Sequence, residues 1–395
     1  MVIIMKEIRI GIIGTGIIAH RHMKMYQDIA GVEVVAACDI QRGKLDAFCD
    51  SYGISGRYEN FRELLARDDI DAVDVCLHNN LHAPVSIEVM ASGKHCYCEK
   101  PMAGTYYDAA AMLEAAKRYG KKLHIQLSTL YSPQHKAAKK IIASGFLGKI
   151  YHARSYGYRR RGRPYVDGYG EKEFNSSYWA QHGALFDMGV YHIAQLLELM
   201  GTPKVERISG RLYQETAMDQ VRQKEAGFDV EELGVGLVHF SGGLTLDILE
   251  SWAIHNGPFP KSSLSGTKGG LRLDPEDKTL QPLELFCEME GYPADIAISL
   301  SEEEYRLHQL HPEYSLMDNS QTHWIGLLRG ELSEGNTAEV ALQTMLVSEG
   351  IALSSALGRE VTAQEVVEQS RSAAIRRQET PFGELCYEEV KRESF

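Results

Sequence analysis

The side chains best suited to chemistry lie in short runs. Gly14-Thr15-Gly16-Ile17-Ile18-Ala19 is a G-x-G-x-x-A pattern that ends the apolar run IRIGIIG. In such a pattern the first glycine permits a tight strand-to-helix turn and the second lets the backbone approach a pyrophosphate. The small third residue lets helix and strand pack closely. The helix opened by Ile17 and Ile18 then offers its N-terminal N–H groups to phosphates. Asp39 closes the next strand-like run, VEVVAACD, where a carboxylate binds ribose hydroxyls and repels a 2′-phosphate. The spacing therefore predicts NAD rather than NADP.

Glu99-Lys100-Pro101 closes a further strand-like run, KHCYCE. The carboxyl ends of parallel strands are where such sheets bind ligands, and a lysine there can transfer protons. The alternative is an exposed lysine paired with Glu99. Proline fixes the local backbone and makes the preceding bond a candidate for cis. In DMGVYHIAQLLELM, Asp187 and Tyr191 are four residues apart, so on a helix they share a face, with His192 about 100° further round. A carboxylate and a phenol together can orient a hydroxyl and help deprotonate it. In the competing reading Asp187 caps the helix and Tyr191 packs in the core.

Arg154, Arg159, Arg160, Arg161 and Arg163 form the one dense basic cluster. One or two of them, with Arg160 as the candidate, can bind an anionic group on a substrate. Otherwise the cluster is a solvated loop or a set of inter-subunit salt bridges. Nearby Tyr165, Tyr169, Tyr178 and Trp179 suit the apolar face of a sugar ring, and they suit a core equally well. Cys96 and Cys98 alternate along a strand with no second Cys/His pair at ligand spacing, so they read as core and no metal site is expected.

These residues need a frame. From residue 7 to about 130, β-branched runs (IRIGIIG, VEVVAAC, AVDVCL, KHCYCE, KLHIQL) alternate with amphipathic stretches at 19–30, 42–52, 61–67, 83–92 and 106–119. This is the signature of βαβ units around a parallel sheet. After a helix begun by Pro133, longer strand-like segments follow with few helices between them, at 149–160, 204–213, 234–243, 244–255 and 263–274. The helices expected in this part are 187–200 and 337–357. The expectation is an α/β Rossmann domain over residues 1–130, then an α+β domain over 131–395 with a large, mostly antiparallel open sheet. The long non-periodic stretch 159–177 marks a functional loop.

Composition narrows the partners. A net charge of −12 on 395 residues disfavours nucleic acid and anionic membrane surfaces. No uninterrupted apolar run approaches the roughly 20 residues needed to span a bilayer. The apolar opening carries Lys6, Glu7 and Arg9 and reads as a buried first strand rather than an export leader. Seven scattered cysteines fit a reducing cytoplasm.

Taken jointly, the motifs resemble the glucose-fructose oxidoreductase / inositol dehydrogenase / MocA family. The resemblance rests on the GxGxxA start, Cys76-Leu77-His78-Asn79-Asn80-Leu81-His82, Glu99-Lys100-Pro101 and Gly183-Ala184-Leu185-Phe186-Asp187-Met188-Gly189-Val190-Tyr191. Ser251-Trp252-Ala253 and Gly266-Thr267-Lys268-Gly269-Gly270 extend it. Leu77 and His78 stand where the family places Thr-Pro, and Tyr191 stands where inositol dehydrogenases place histidine. The resemblance implies cofactor contacts from Asn79, His82, Glu99 and Lys100, with Lys100 in proton transfer. It implies substrate contacts from Lys100, Asp187, Tyr191 and His192, and homo-oligomer formation, a dimer or tetramer, through the open sheet. The implied activity is NAD-dependent oxidation of a secondary hydroxyl of a sugar, glycoside or cyclitol, or reduction of the keto-sugar. Two alternatives stay open: tightly bound NAD recycled for glycoside elimination or sugar-to-sugar hydride transfer, and a non-catalytic NAD or sugar sensor.

Overall fold

The computed structural model describes residues 6–168, 170–257, 261–273, 283–332, 335, 337–375, 379–380 and 383–384. The isoleucine- and valine-rich runs become strands because their side chains find burial on both faces of a sheet. Ile8, Ile10 and Ile12 are at most 1% exposed. These strands are β1 (Ile8–Ile13), β2 (Val32–Cys38), β3 (Gly56–Tyr58), β4 (Ala72–Val75), β5 (His95–Cys98) and β6 (Leu123–Ile125). They form a sheet ordered β3-β2-β1-β4-β5-β6, and all of its pairings are parallel. The helices that cross over it are α1 (Ile17–Gln27), α2 (Arg42–Tyr52), α3 (Phe61–Leu65), α4 (Asn79–Ala91) and α5 (Tyr106–Tyr119). Strand order reverses between β1 and β4, which leaves a crevice at their carboxyl ends. The glycine turn follows β1 and the run Cys76–His82 follows β4, so both lie at that crevice.

The second body opens with α6 (Pro133–Ala143) and β7 (Ile150–Tyr158), then α7 (Ser177–Ala180), α8 (Ala184–Asp187), α9 (Gly189–Leu199), β8 (Val205–Tyr213) and α10 (Gln220–Ala226). It continues through β9 (Leu233–Phe240), β10 (Thr245–Ser251), β11 (Ser262–Gly266), β12 (Gly269–Leu273), β13 (Leu283–Met289), β14 (Tyr292–Ile298) and α11 (Ser301–Leu310). Last come α13 (Thr337–Leu357), β15 (Val361–Thr362) and α14 (Ala363–Gln369), while α12 (Ser320–Arg329), which precedes α13 in the chain, belongs to the first body. The nine-stranded sheet runs β14-β13-β12-β11-β7-β10-β9-β8-β15. Only β7 and β10 pair in parallel; the remaining pairings are antiparallel, as expected. One face is covered by helices: Ile351 of α13 fills the space left by Gly210 and Gly236, and Gly350 accepts Ile208. Among the described residues α13 is the one helix long and apolar enough to cross a membrane, with mean hydropathy 1.4 and half of it buried. Glu339 and Glu349 interrupt its apolar run, and it serves as the core helix of this body.

Three expectations need correction. The chain does not divide into contiguous blocks at 130/131: the first body takes residues up to 126, then 319–339, then the segment from Arg371. The reason is apolar. Trp324, 1% exposed, and Ile325 and Leu328 of α12 complete the core formed by Ile8, Ile10, Tyr26 and Tyr97. Second, the helix expected over 187–200 is two helices, α8 and α9, broken at Met188. Third, α10, α11, α12, α14 and the β13–β14 hairpin lie outside the elements expected from periodicity.

Candidate active site

Gly14 sits at φ +92°, and a Cβ there would collide with the carbonyl of Cys76, so the turn needs glycine. Around Gly16 the opposite holds: an added Cβ would meet no atom within 4 Å, which is the open space a pyrophosphate needs. No side chain caps α1 at Gly16, so the backbone N–H groups of Ile17 and Ile18 stand at a positive helix end. Ile17 is 63% exposed, whereas Ile18 packs on the core and contributes through its backbone. Asp39 lies against the turn. Its Oδ2 accepts from the N–H and the hydroxyl of Thr15, both at 2.9 Å, and its Oδ1 accepts from the Gln41 N–H at 2.8 Å. The residues present therefore fit a dinucleotide with free ribose hydroxyls, and the fixed carboxylate opposes a 2′-phosphate.

At the end of β5, the bond between Lys100 and Pro101 is cis. The Lys100 N–H donates to Glu99 Oε2 at 2.9 Å, and Glu99 Oε1 is 2.9 Å from His22 Nε2. Burial works against the charge on Glu99, but hydrogen bonding and attraction to His22 outweigh it and hold its carboxyl below the ordinary range. Asn79 is buried at the first position of α4. His82 differs from expectation. Its ring is fully buried, with Nδ1 2.7 Å from the Pro101 carbonyl and Nε2 3.0 Å from the Leu77 carbonyl. It staples the lysine turn to the loop after β4 instead of facing a cofactor. Glu99 likewise acts on Lys100 from beneath.

In the second body, Asp187 ends α8 and accepts a 3.1 Å hydrogen bond from Trp252 Nε1. Trp252 is fully buried and follows β10. The short α8 is itself held by Glu231, whose buried carboxylate accepts from the N–H groups of Gly183 at 2.8 Å and Leu185 at 3.1 Å. Burial, with the negative Asp187 adding to it, pushes Glu231 up to about 7 despite those donors. Tyr191 is half-buried in the first turn of α9, where its carbonyl accepts from Thr129 at 2.9 Å. His192 is buried with Nδ1 3.0 Å from both oxygens of Glu250, which also accepts from Ser155 at 2.8 Å. Gly157 makes room for this pair. His192 Nδ1 therefore anchors α9 to β10 and β7.

The basic cluster disperses. Arg163 is fully buried and bound to Asp167 and Glu232, Arg154 lies 3.5 Å from Asp247, and Arg161 lies 3.8 Å from Asp167. Arg160 is exposed, with its guanidinium beside Gly257. Tyr165 donates to Glu225 at 2.6 Å with Arg222 over its ring, so its hydroxyl is engaged within the protein. Trp179 is half-buried, edge-on to exposed Tyr178 at 5.0 Å. Tyr169 lies outside the described residues. Among the described residues, His22, Asp74 and Cys76 cluster closely enough to invite a metal ion, as do Glu304, His308 and Asp318. In the second group the Lys136 ammonium already sits 2.9 Å from Glu304. Glu231, Glu250 and His22 carry no local sequence signal, because each meets its partners across about 50 residues or more.

Residues 8–127 match the model of the oxidoreductase family with an NAD-binding Rossmann fold, and residues 135–272 match that of the GFO/IDH/MocA C-terminal domain. The D-glucoside 3-dehydrogenase of Escherichia coli K12 is 26% identical over 280 residues, 68% of this chain and 77% of the relative. The inositol 2-dehydrogenase of Salmonella typhimurium is 33% identical over 154 residues, 38% of this chain and 46% of the relative. Levoglucosan dehydrogenase in complex with NADH shares the fold at 18% identity with a TM-score of 0.75, covering 91% of this chain and 99% of that one.

Proposed function

The chain belongs to the GFO/IDH/MocA family of oxidoreductases with an NAD-binding Rossmann fold, and from that premise we propose that it oxidises a secondary hydroxyl of a sugar, glycoside or cyclitol, or reduces the corresponding ketone. The observation that carries this reading is the placement of Lys100. It follows β5 of the same parallel sheet whose β1 leads into the Gly14–Gly16 turn, and its backbone is pinned by Glu99. NAD bound at that turn supplies the hydride acceptor. Lys100 takes the proton of the substrate hydroxyl and returns it in the reverse direction. Asp187, steadied by Trp252, accepts from a substrate hydroxyl, and the Tyr191 phenol supplies a further hydrogen bond. Arg160 and Trp179 are assigned to the outer part of a substrate. The sheet face carrying Tyr156, Leu237, Asp247 and Leu249 is the proposed contact between subunits, and a reducing cytoplasm suits the unpaired Cys38, Cys49, Cys76, Cys96 and Cys98.

The test is turnover at 340 nm with NAD and a panel of sugars, glycosides and cyclitols. Lys100→Ala should lower kcat by about 100-fold or more while the protein still binds NAD. Full activity in that variant removes the reading. Turnover by cofactor that co-purifies, with none added, would move it to internal recycling of NAD.

A further inference from the structure

Beneath Lys100 lies a row of ionisable groups that the proposed chemistry does not use. His22 of α1 is 1% exposed, Asp74 of β4 is 0% exposed and Glu99 is 5% exposed. His22 Nδ1 is 2.9 Å from Asp74 Oδ2, and His22 Nε2 is 2.9 Å from Glu99 Oε1. Tyr26 of the same helix donates to Asp74 Oδ2 at 3.0 Å. Cys76 Sγ lies 3.4 Å from His22 Nδ1 and 3.4 Å from Asp74 Oδ1, and the Tyr97 ring stands edge-on to the imidazole at 5.6 Å. On the Glu99 side the charge of Lys100 also favours the ionised carboxyl.

Two carboxylates flank one imidazole, one on each ring nitrogen. A neutral ring has one N–H and would leave one nitrogen lone pair facing a carboxylate lone pair. A doubly protonated ring donates to both. A buried Asp74 carboxylate facing a neutral ring would also carry the large desolvation cost of a poorly paired ion. A metal ion fits less well, since each ring nitrogen already has a carboxylate at hydrogen-bond distance. Burial opposes the charge on His22, but Asp74 more than restores it and raises the ring well above its usual value.

Resting on the reading of Lys100 above, we propose that His22 is a positioning residue: as a buried imidazolium it ties the fingerprint helix α1 to β4 and to Glu99, and so fixes the backbone from which Lys100 acts. The geometry runs without a gap from α1 through His22 to Glu99 Oε1, and from Glu99 Oε2 to the Lys100 N–H. The helix that receives the pyrophosphate and the turn that carries the proton-transfer group thus share one brace. With the ring gone, Glu99 loses the main partner that keeps it ionised and retains the weaker pull of Lys100. A buried carboxyl of that kind takes up a proton in the neutral range, and the Lys100 N–H then loses its charged acceptor.

The test combines spectroscopy with kinetics on the full chain. In 15N spectra of the wild type, one histidine should stay doubly protonated at pH 8 and vanish in His22→Gln. A His22 ring that is neutral at pH 7 overturns the proposal. In kinetics, H22Q should lower kcat at pH 7 by about 10- to 100-fold with substrate KM within about threefold, the scale set by partners that orient a reacting group. Its kcat should recover as pH rises and Glu99 ionises, a limb that a general loss of packing would not create. A kcat within about twofold of wild type, with an unchanged pH profile, overturns the proposal. Because a single change strands two buried carboxylates, the double variant H22Q/D74N is measured alongside and should show the same limb. If neither variant folds, the wild-type 15N spectrum decides alone. Lys100→Ala separates the two layers: full activity there removes the catalytic reading, whereas loss there with an unaffected H22Q removes only the brace.

Discussion

Glu231 shows how one side chain can couple folding to pH near the candidate site. Its carboxyl is held at about 7, against 4.5 in a peptide, by burial with Asp187 nearby. The folded state therefore binds this proton more tightly than the unfolded state. The resulting stability is full below pH 4.5 and is lost as pH rises through 7. Glutamine has nothing to ionise, and its single carbonyl oxygen can replace one of the two acceptors, a loss that does not vary with pH. Urea unfolding of Glu231→Gln and wild type at pH 5 and pH 8 should show the variant gaining on the order of 3 kcal/mol relative to wild type across that interval. A difference that does not change with pH would mean the carboxyl does not titrate there. This residue was invisible in the sequence, as were Glu250 and His22, because a carboxylate or an imidazole has meaning only beside partners that folding brings from elsewhere. Gly14, Gly16, Asp39 and Lys100 were legible because their roles follow from local turn geometry and position at a strand end.

Elements repeat that contrast. The parallel sheet could be read from β-branched runs because its strands are buried on both faces and so lack polar alternation. β3, three residues long with Arg57 at its centre, gives no such run. The break at Met188 could not be read, since the apolar period continues through it from Asp187 to Met200. In the loop after β7 the sequence showed a basic cluster, and the structure shows that one of its members is a rivet. The Arg163 guanidinium donates to Asp167 at 2.8 and 3.0 Å, to Glu232 at 2.8 Å and to the carbonyls of Thr216 and Ala217 at 2.9 and 3.1 Å. Removing one partner of a buried network strands the others. Arg163→Met should cost about 3–5 kcal/mol in thermal or urea unfolding and should raise hydrogen exchange across residues 159–168. Arg163→Lys should recover little, because an ammonium cannot reproduce the planar fork. Full recovery by lysine would show that charge alone holds the loop.

On the scale of the whole chain, the first body is discontinuous, which a reading of consecutive segments cannot detect. Its core holds Trp324 and Ile325 from α12. At the other end of its sheet, Thr337 Oγ1 accepts from the Ile125 N–H at 2.6 Å and donates to the Ile125 carbonyl at 2.7 Å, closing the edge of β6. Farther along, the backbone N–H groups of Ala373 and Ala374 donate to buried Asp108 at 2.9 and 3.0 Å, and that of Ile375 donates to the Asn80 carbonyl at 2.9 Å, one residue past Asn79. The dinucleotide-binding body is thus finished by segments made some 200 residues after its last strand. A fragment ending at residue 127 would expose the apolar surface that Trp324 covers and leave the β6 edge open. It should therefore show no cooperative thermal transition and no measurable NAD binding by calorimetry. In the full chain, Trp324→Ala should cost about 3–5 kcal/mol by the cavity it leaves, and NAD should still bind once the protein is folded. A fragment that melts cooperatively and binds NAD would show that the first 127 residues carry the core by themselves, with α12 packed on them as an addition.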